Sequence, residues 1–146
     1  MMKLAIQEAK KSGNDIAIGA VIIKDGEVIA AACNRKETSN DVTAHAEIVA
    51  IREAERKLAN WRLDGCELYV TLEPCPMCAW AIIQSRMKAV YFGSYDVNYG
   101  ALGSKIDLRK LLNSPIKVYG GIMECDCDRL LQDYFSRMRA EKLQDI

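Results

Sequence analysis

The chain contains one histidine, His45, and it stands at the head of a segment with helical periodicity. Thr43 and Ala44 lead into His45-Ala46-Glu47, and apolar residues follow at Ile48, Ile51, Ala54 and Leu58. Arg52, Glu53, Arg56 and Lys57 fall between them, so the spacing predicts a helix over roughly 44–59 with one solvated face. A second helix is predicted from Pro74 and Pro76 to about Arg86, proline being tolerated in a first turn. Cys75 and Cys78 lie one turn apart on the same face of that first turn. A fold that joins the imidazole to this thiol pair must bring two helix starts together.

The strands set how that happens. Gly19–Lys24 and Glu27–Cys33 are β-rich runs joined by Asp25-Gly26, a strong two-residue hairpin signal. Asn34–Asp41 is polar and turn-like, and Cys66–Leu72 reads as a strand after Asp64-Gly65. Lys88–Phe92 reads as a strand ending at Gly93, and Ile116–Tyr119 as another before Gly120-Gly121. A short helix over 2–11, ended by Gly13, comes first, and a long amphipathic helix over 124–142 comes last. Strands alternating with helices predict an α/β sandwich whose five-stranded sheet is partly parallel and opened by an antiparallel hairpin. Both helix starts then sit at the C-terminal ends of neighbouring strands.

Composition narrows the class. The 146 residues fit one domain spanning 1–146, with no repeat, low-complexity segment or Pro/Gly/Ser-rich linker. No apolar run approaches the ~20 residues that span a bilayer, and Met1–Lys11 has no secretory apolar stretch, so a cytoplasmic location is expected. Twenty basic and 20 acidic residues cancel, so a nucleic-acid partner would have to be met by a local basic patch. Of six cysteines, four form the close pairs Cys75/Cys78 and Cys125/Cys127, which in a cytosolic chain read as metal or redox sites before disulfides. Cys33 and Cys66 are expected in the core. Cys125 and Cys127 flank Asp126 where helical neighbours face apart, and a structural role is expected for them.

Two thiolates and one imidazole make a three-ligand set typical of zinc, with the fourth position left for water. The positive end of a helix favours the thiolate form a metal needs. Bound zinc brings water towards ionisation at neutral pH, and Glu47, two residues after His45, is the carboxylate expected to handle the proton. Residues i and i+2 of a helix point nearly opposite ways, so His45 and Glu47 share a site only off the helix end. A Cys-x-x-Cys pair alone also serves thiol redox chemistry or a non-catalytic zinc module. Glu47 is the residue that neither of those readings explains.

His-x-Glu followed by Pro-Cys-x-x-Cys is the signature of zinc nucleobase deaminases. Thr43–Ile48, Thr71–Ala79 and the stretch from Phe92-Gly93 through Asp96 to Gly100-Ala101-x-Gly103-Ser104 resemble bacterial tRNA adenosine deaminases. The likeness continues through Gly19-Ala20-Val21, Asn34-Arg35, Trp61-Arg62-Leu63 and Asp133-Tyr134-Phe135, nearly the whole chain. It implies a three-layer α/β/α cytidine deaminase-like sandwich with a central mixed five-stranded sheet, working as a homodimer. It also implies one zinc per subunit on His45, Cys75 and Cys78, with Glu47 as proton shuttle. Asn34 would then bind the target base and Asp96 would lie beside the RNA. The substrate implied is the wobble adenosine of a tRNA anticodon loop, converted to inosine. Apart from the resemblance, Arg137 and Arg139 of the C-terminal helix are candidate phosphate contacts, or part of a solvated face among acidic residues.

The chain departs from that family at several points. Trp80 replaces a small glycine, Asp41-Val42-Thr43 replaces Asp-Pro-Thr, and Ala17 replaces a proline. The Leu112–Pro115 loop after a short helix is shortened and lacks an Asn-His associated with RNA contact, and the N-terminal helix begins late. These changes leave the zinc chemistry intact. They favour, as the alternative, a zinc-dependent deaminase of a free base or nucleoside such as guanine, cytosine or cytidine.

Overall fold

Asp25 and Gly26 both take positive φ, 50° and 78°, the turn geometry that matches the twist of paired strands. They join β1 (Gly19–Lys24) to β2 (Glu27–Cys33) in the antiparallel hairpin that the Asp-Gly pair predicts. The computed structural model of the chain describes residues 1–144. β1 also pairs antiparallel with β3 (Cys66–Leu72), which pairs parallel with β4 (Ala89–Ser94). β4 in turn pairs parallel with the short β5 (Lys117–Tyr119), so the mixed sheet runs β2-β1-β3-β4-β5.

Among the described residues five helices flank it: α1 (Met2–Ala9), α2 (Ala46–Leu58), α3 (Pro76–Gln84), α4 (Leu108–Leu111) and α5 (Glu124–Gln144). One sheet face, with Ile22, Leu68, Val70 and Val90, packs on Ala46, Ala50 and Ala54 of α2 and on Ile82 of α3. The other face, with Val21 and Ile23, packs on Met2 and Ala5 of α1 and on Cys127 of α5. This is the expected three-layer α/β/α sandwich. Leu68 is fully buried, so truncating it to alanine costs about 2–5 kcal/mol. No helix among the described residues is long and apolar enough to cross a membrane.

The differences from the sequence reading gather at the helix starts. α2 begins at Ala46, with His45 as an extended N-cap (φ −68°, ψ 153°). α3 begins at Pro76, with Cys75 as its extended N-cap (φ −72°, ψ 173°), so Pro74 lies outside the helix. Gly93 belongs inside β4 and does not end it. A side chain there would collide with Cys127, so the glycine lets α5 lie against the sheet. Cys33 and Cys66 are buried as expected. Cys127 is buried too, whereas Cys125 is exposed and packs in no core.

Register places the site. Gly19 pairs with Cys33, Ala20 with Val70, and Leu72 with Ser94. The ends of β2, β3 and β4 therefore meet at one edge of the sheet, beside the starts of α2 and α3.

Candidate active site

His45 and Cys75 occupy N-cap positions, where Ser, Thr, Asp or Asn would normally accept a backbone N–H. Neither side chain caps its helix. Both turn to each other instead: Nδ1 of His45 lies 3.6 Å from Sγ of Cys75 and 3.4 Å from Sγ of Cys78. The three donor atoms lie within 4.8 Å of one another and form the one cluster of metal-ligating residue types found among the described residues. Tetrahedral zinc with bonds of about 2.05 Å to nitrogen and about 2.3 Å to sulfur sets those two atoms about 3.6 Å apart. The donor set and its spacing fit zinc. Three protein donors, not four, is the pattern of catalytic zinc sites.

The metal-free electrostatics agree. The Cys75 thiol is pulled down to about 4, chiefly by the hydrogen bond from Cys78 and then by His45. The Cys78 thiol is pushed strongly up, because it donates to Cys75 and is buried beside Glu47. The pair thus shares one proton, the charge that a bound cation displaces. The hydrogen bond with Cys75 also raises His45.

Glu47 sits in the first turn of α2, 4% exposed, and its carboxyl is pushed up to about 7, first by burial and partly by the charge on Cys75. The i, i+2 difficulty is resolved as the sequence requires. His45 is a cap and not a helical residue, so both side chains reach a common cavity off the helix end.

That cavity, about 470 Å³, is lined by His45, Glu47, Cys75, Asn34 and Asp96, with Ile16, Ile18, Leu72, Glu73, Lys36 and Tyr99 completing its walls. Asn34 is buried at the end of β2; its Nδ2 donates to the Ile16 carbonyl (3.4 Å) and its Oδ1 accepts from Lys36 N (3.3 Å). An amide carries two donors and two acceptor sites, so one of each is left for a ligand. Oδ1 of Asp96 accepts from the backbone N–H groups of Asn98 and Tyr99, both at 3.0 Å, which makes Asp96 a loop brace as well as a wall.

Arg137 and Arg139 are not brought to this cavity. Arg137 donates to the Gly13 carbonyl at 2.8 Å and stacks over Tyr134, and Arg139 donates to Ser136. Two buried carboxylates that the sequence does not single out support the cavity, Asp15 from behind its wall and Glu73 from within it. Asp15 holds the backbone of Glu37 and Thr38, and Glu73 holds the loop from Asp96 to Ser104. In sequence each looks like an ordinary surface acid. The one signal for Glu73 is its place between a strand and the Pro74-Cys75 turn.

Residues 1–94 match the family described as the cytidine and deoxycytidylate deaminase zinc-binding region. The chain is 43% identical to the tRNA-specific adenosine deaminase of Bacillus subtilis (strain 168), over 97% of this chain and 90% of that protein. The chain belongs to the tRNA-specific adenosine deaminase family. Another member, from Aquifex aeolicus (strain VF5), is 40% identical over 94% of this chain and 93% of that protein. A solved structure from work on A-to-I editing by tRNA:A34 deaminases superposes with a TM-score of 0.81 at 43% identity, covering 89% of this chain and 97% of that one. The guanine deaminase of Nitrosomonas europaea shares the fold (TM-score 0.79) at 26% identity, covering 91% and 81%. Deaminases of this family are zinc enzymes, and His45, Cys75 and Cys78 are the residues that fit the metal.

Proposed function

We propose that the chain hydrolyses adenosine to inosine at the wobble position of a tRNA anticodon, releasing ammonia. The observation that carries this reading is the convergence of His45, Cys75, Glu47, Asn34 and Asp96 on one cavity, in a chain 43% identical to a named tRNA deaminase along almost its full length. Zinc, when bound by His45, Cys75 and Cys78, supplies a Lewis acid that activates water for attack at C6 of the base. Glu47 passes one proton from the attacking water to the ring nitrogen and a second, from the hydroxyl so formed on C6, to the amino group, which leaves as ammonia as the carbonyl forms. Burial raises this carboxyl above the ordinary range, which suits a group that must hold a proton as well as release one. The spare donor and acceptor of Asn34 orient the purine edge. Asp96, whose Oδ2 has no protein donor among the described residues, accepts from a ribose hydroxyl.

The anticodon loop suits such a cavity, because extruding an unpaired base costs less than opening a duplex. Lys36 on the cavity wall and exposed Arg35 beside it supply positive charge for the backbone. Arg137 and Arg139 extend that charge only if α5 also meets the tRNA. A homodimer is part of the proposal: Trp61 and Trp80, 57% and 46% exposed, flank a groove between α2 and α3 that a second copy would cover. One domain spanning 1–146 performs the reaction in the cytoplasm, where the free state of all six cysteines is at home.

The fold shared with a guanine deaminase favours a second reading, in which a free base fills the cavity. Incubation of zinc-loaded protein with an anticodon stem-loop RNA and with guanine, cytosine and cytidine separates the two. Inosine at the wobble position supports the tRNA reading. Unaltered RNA together with a deaminated free base transfers the assignment to the second.

A further inference from the structure

We propose that Glu73 is a positioning residue that fixes the substrate-facing 96–104 loop to the metal-binding turn. The inference rests on the deaminase reading only for the identity of the substrate.

Glu73 is 2% exposed, and no cation pairs with its carboxylate among the described residues. A buried charge without a counter-ion needs its lone pairs filled by donors. Here one loop supplies all of them. Oε1 accepts from the N–H of Asp96 (3.3 Å) and from the hydroxyl of Ser104, and Oε2 accepts from the N–H groups of Leu102 and Ser104, both at 3.1 Å. Hydrogen bonds to a carboxylate are roughly twice as strong as neutral ones, so this cradle outweighs an ordinary loop contact. The peptides flanking the side chain bind the end of β4, from which the loop leaves, and the loop itself. Glu73 N donates to the Ser94 carbonyl, and Ala101 N donates to the Pro74 carbonyl, each at 2.9 Å.

Gly100 makes the approach possible. A Cβ there would collide with the Glu73 carboxylate and with the Asp96 carbonyl, so only glycine lets the loop close around the charge. The tip is braced within the loop by Asp96 but is scarcely packed on the body of the protein: Val97 is 73% and Tyr99 69% exposed, leaving few apolar contacts to fix them. Yet Asp96 and Tyr99 form one wall of the cavity. Cys75, two residues beyond Glu73, is a metal ligand on the adjoining wall. Through Glu73 the two walls become one rigid unit, and the distance from the metal site to Asp96 is set from inside the protein. A glutamine keeps the size but turns an amino group towards N–H donors, so at least one bond is lost and the loop drifts.

The test uses steady-state kinetics of full-length, zinc-loaded Glu73→Gln, Glu73→Asp, Gly100→Ala and the double variant Glu73→Gln/Gly100→Ala. The substrates are an anticodon stem-loop RNA and guanine. A displacement of about 1 Å costs about 10²-fold, so Glu73→Gln is expected to lower kcat/KM by about that factor, mainly through KM, with zinc content unchanged. Gly100→Ala is expected to act in the same direction, and the double variant to be no worse than the poorer single one, because both break one contact. Glu73→Asp keeps the charge and falls between wild type and Glu73→Gln.

A folded, zinc-replete Glu73→Gln with a lower Tm but unchanged kcat and KM would mark the residue as merely structural and overturn the proposal. If Glu73→Gln does not fold, Gly100→Ala and Ser104→Ala decide, and an unchanged KM in both overturns it equally. If the wild type deaminates guanine and not the RNA, the tRNA reading fails while the same comparison on guanine still tests Glu73.

Discussion

The imidazole of His45 and the thiol of Cys75, 30 residues apart in sequence, face each other at 3.6 Å from the N-caps of two different helices, and neither caps its own helix. Two capping positions are given over to the metal site. A good N-cap is worth about 1 kcal/mol over a residue that does not cap. Metal-free His45→Asn is therefore expected to be about 1 kcal/mol more stable than metal-free wild type, while holding no stoichiometric zinc and showing no activity. Urea unfolding in chelator and metal analysis check the two halves. A less stable apo variant would mean that His45 supports α2 by some other contact.

Glu47→Gln keeps the size of a buried side chain that does not belong to the metal-ligating cluster. Zinc content is expected to stay at wild-type level while kcat falls by about 10²–10⁴, the range associated with a positioned acid–base group. Loss of zinc together with activity would reassign Glu47 to the metal.

Asp15 is 1% exposed and ties the segment carrying Ile16 and Ile18 to the turn at residues 37 and 38, accepting from Glu37 N (2.6 Å), Thr38 N (3.1 Å) and the Thr38 hydroxyl (2.7 Å). Burial pushes its carboxyl up, but these hydrogen bonds outweigh burial and hold it below its ordinary 3.8. A carboxyl that ionises more readily folded than unfolded adds stability above the unfolded value, and that stability is lost as pH falls through the folded one. Asp15→Asn is expected to cost about 1–3 kcal/mol at pH 7 and to have a smaller effect near pH 3. Urea unfolding at the two pH values measures the difference. An equal loss at both would show that the charge itself contributes nothing.

Trp61 and Trp80 line a groove with Ile51 and Ile83 on one side and Glu55 and Arg86 beside them, and a second copy of the chain is the proposed cover. Tryptophans at the centre of an interface commonly carry 2 kcal/mol or more. Trp80→Lys is expected to weaken the dimer by about 30-fold or more, read by light scattering across a dilution series. A dimer of unchanged strength would place the interface elsewhere.

Much of this was legible in the chain itself. β1, β2 and β3 fall where the β-rich runs and the Asp25-Gly26 pair predict, because local chemistry decides a hairpin. The metal cluster was legible because ligand type and spacing are carried by side chains at fixed offsets. α2 and α3 start two residues later than expected, since periodicity cannot tell a first helical residue from a cap whose side chain turns away to join a His/Cys cluster. Gly93 read as a strand end, because the residue that demands a glycine there, Cys127, lies 34 positions on in another layer. Glu73 and Asp15 were hidden for a related reason. Their partners are mostly backbone N–H groups 22 to 31 residues away, and a backbone amide leaves no mark in a sequence.

The most direct test of the whole account is X-ray absorption at the zinc edge on purified, zinc-loaded protein. One zinc per chain is expected, with two sulfur neighbours at about 2.3 Å and the remaining neighbours nitrogen or oxygen at about 2.0–2.1 Å. A shell of four sulfurs, or a folded protein that takes up no zinc, would contradict it.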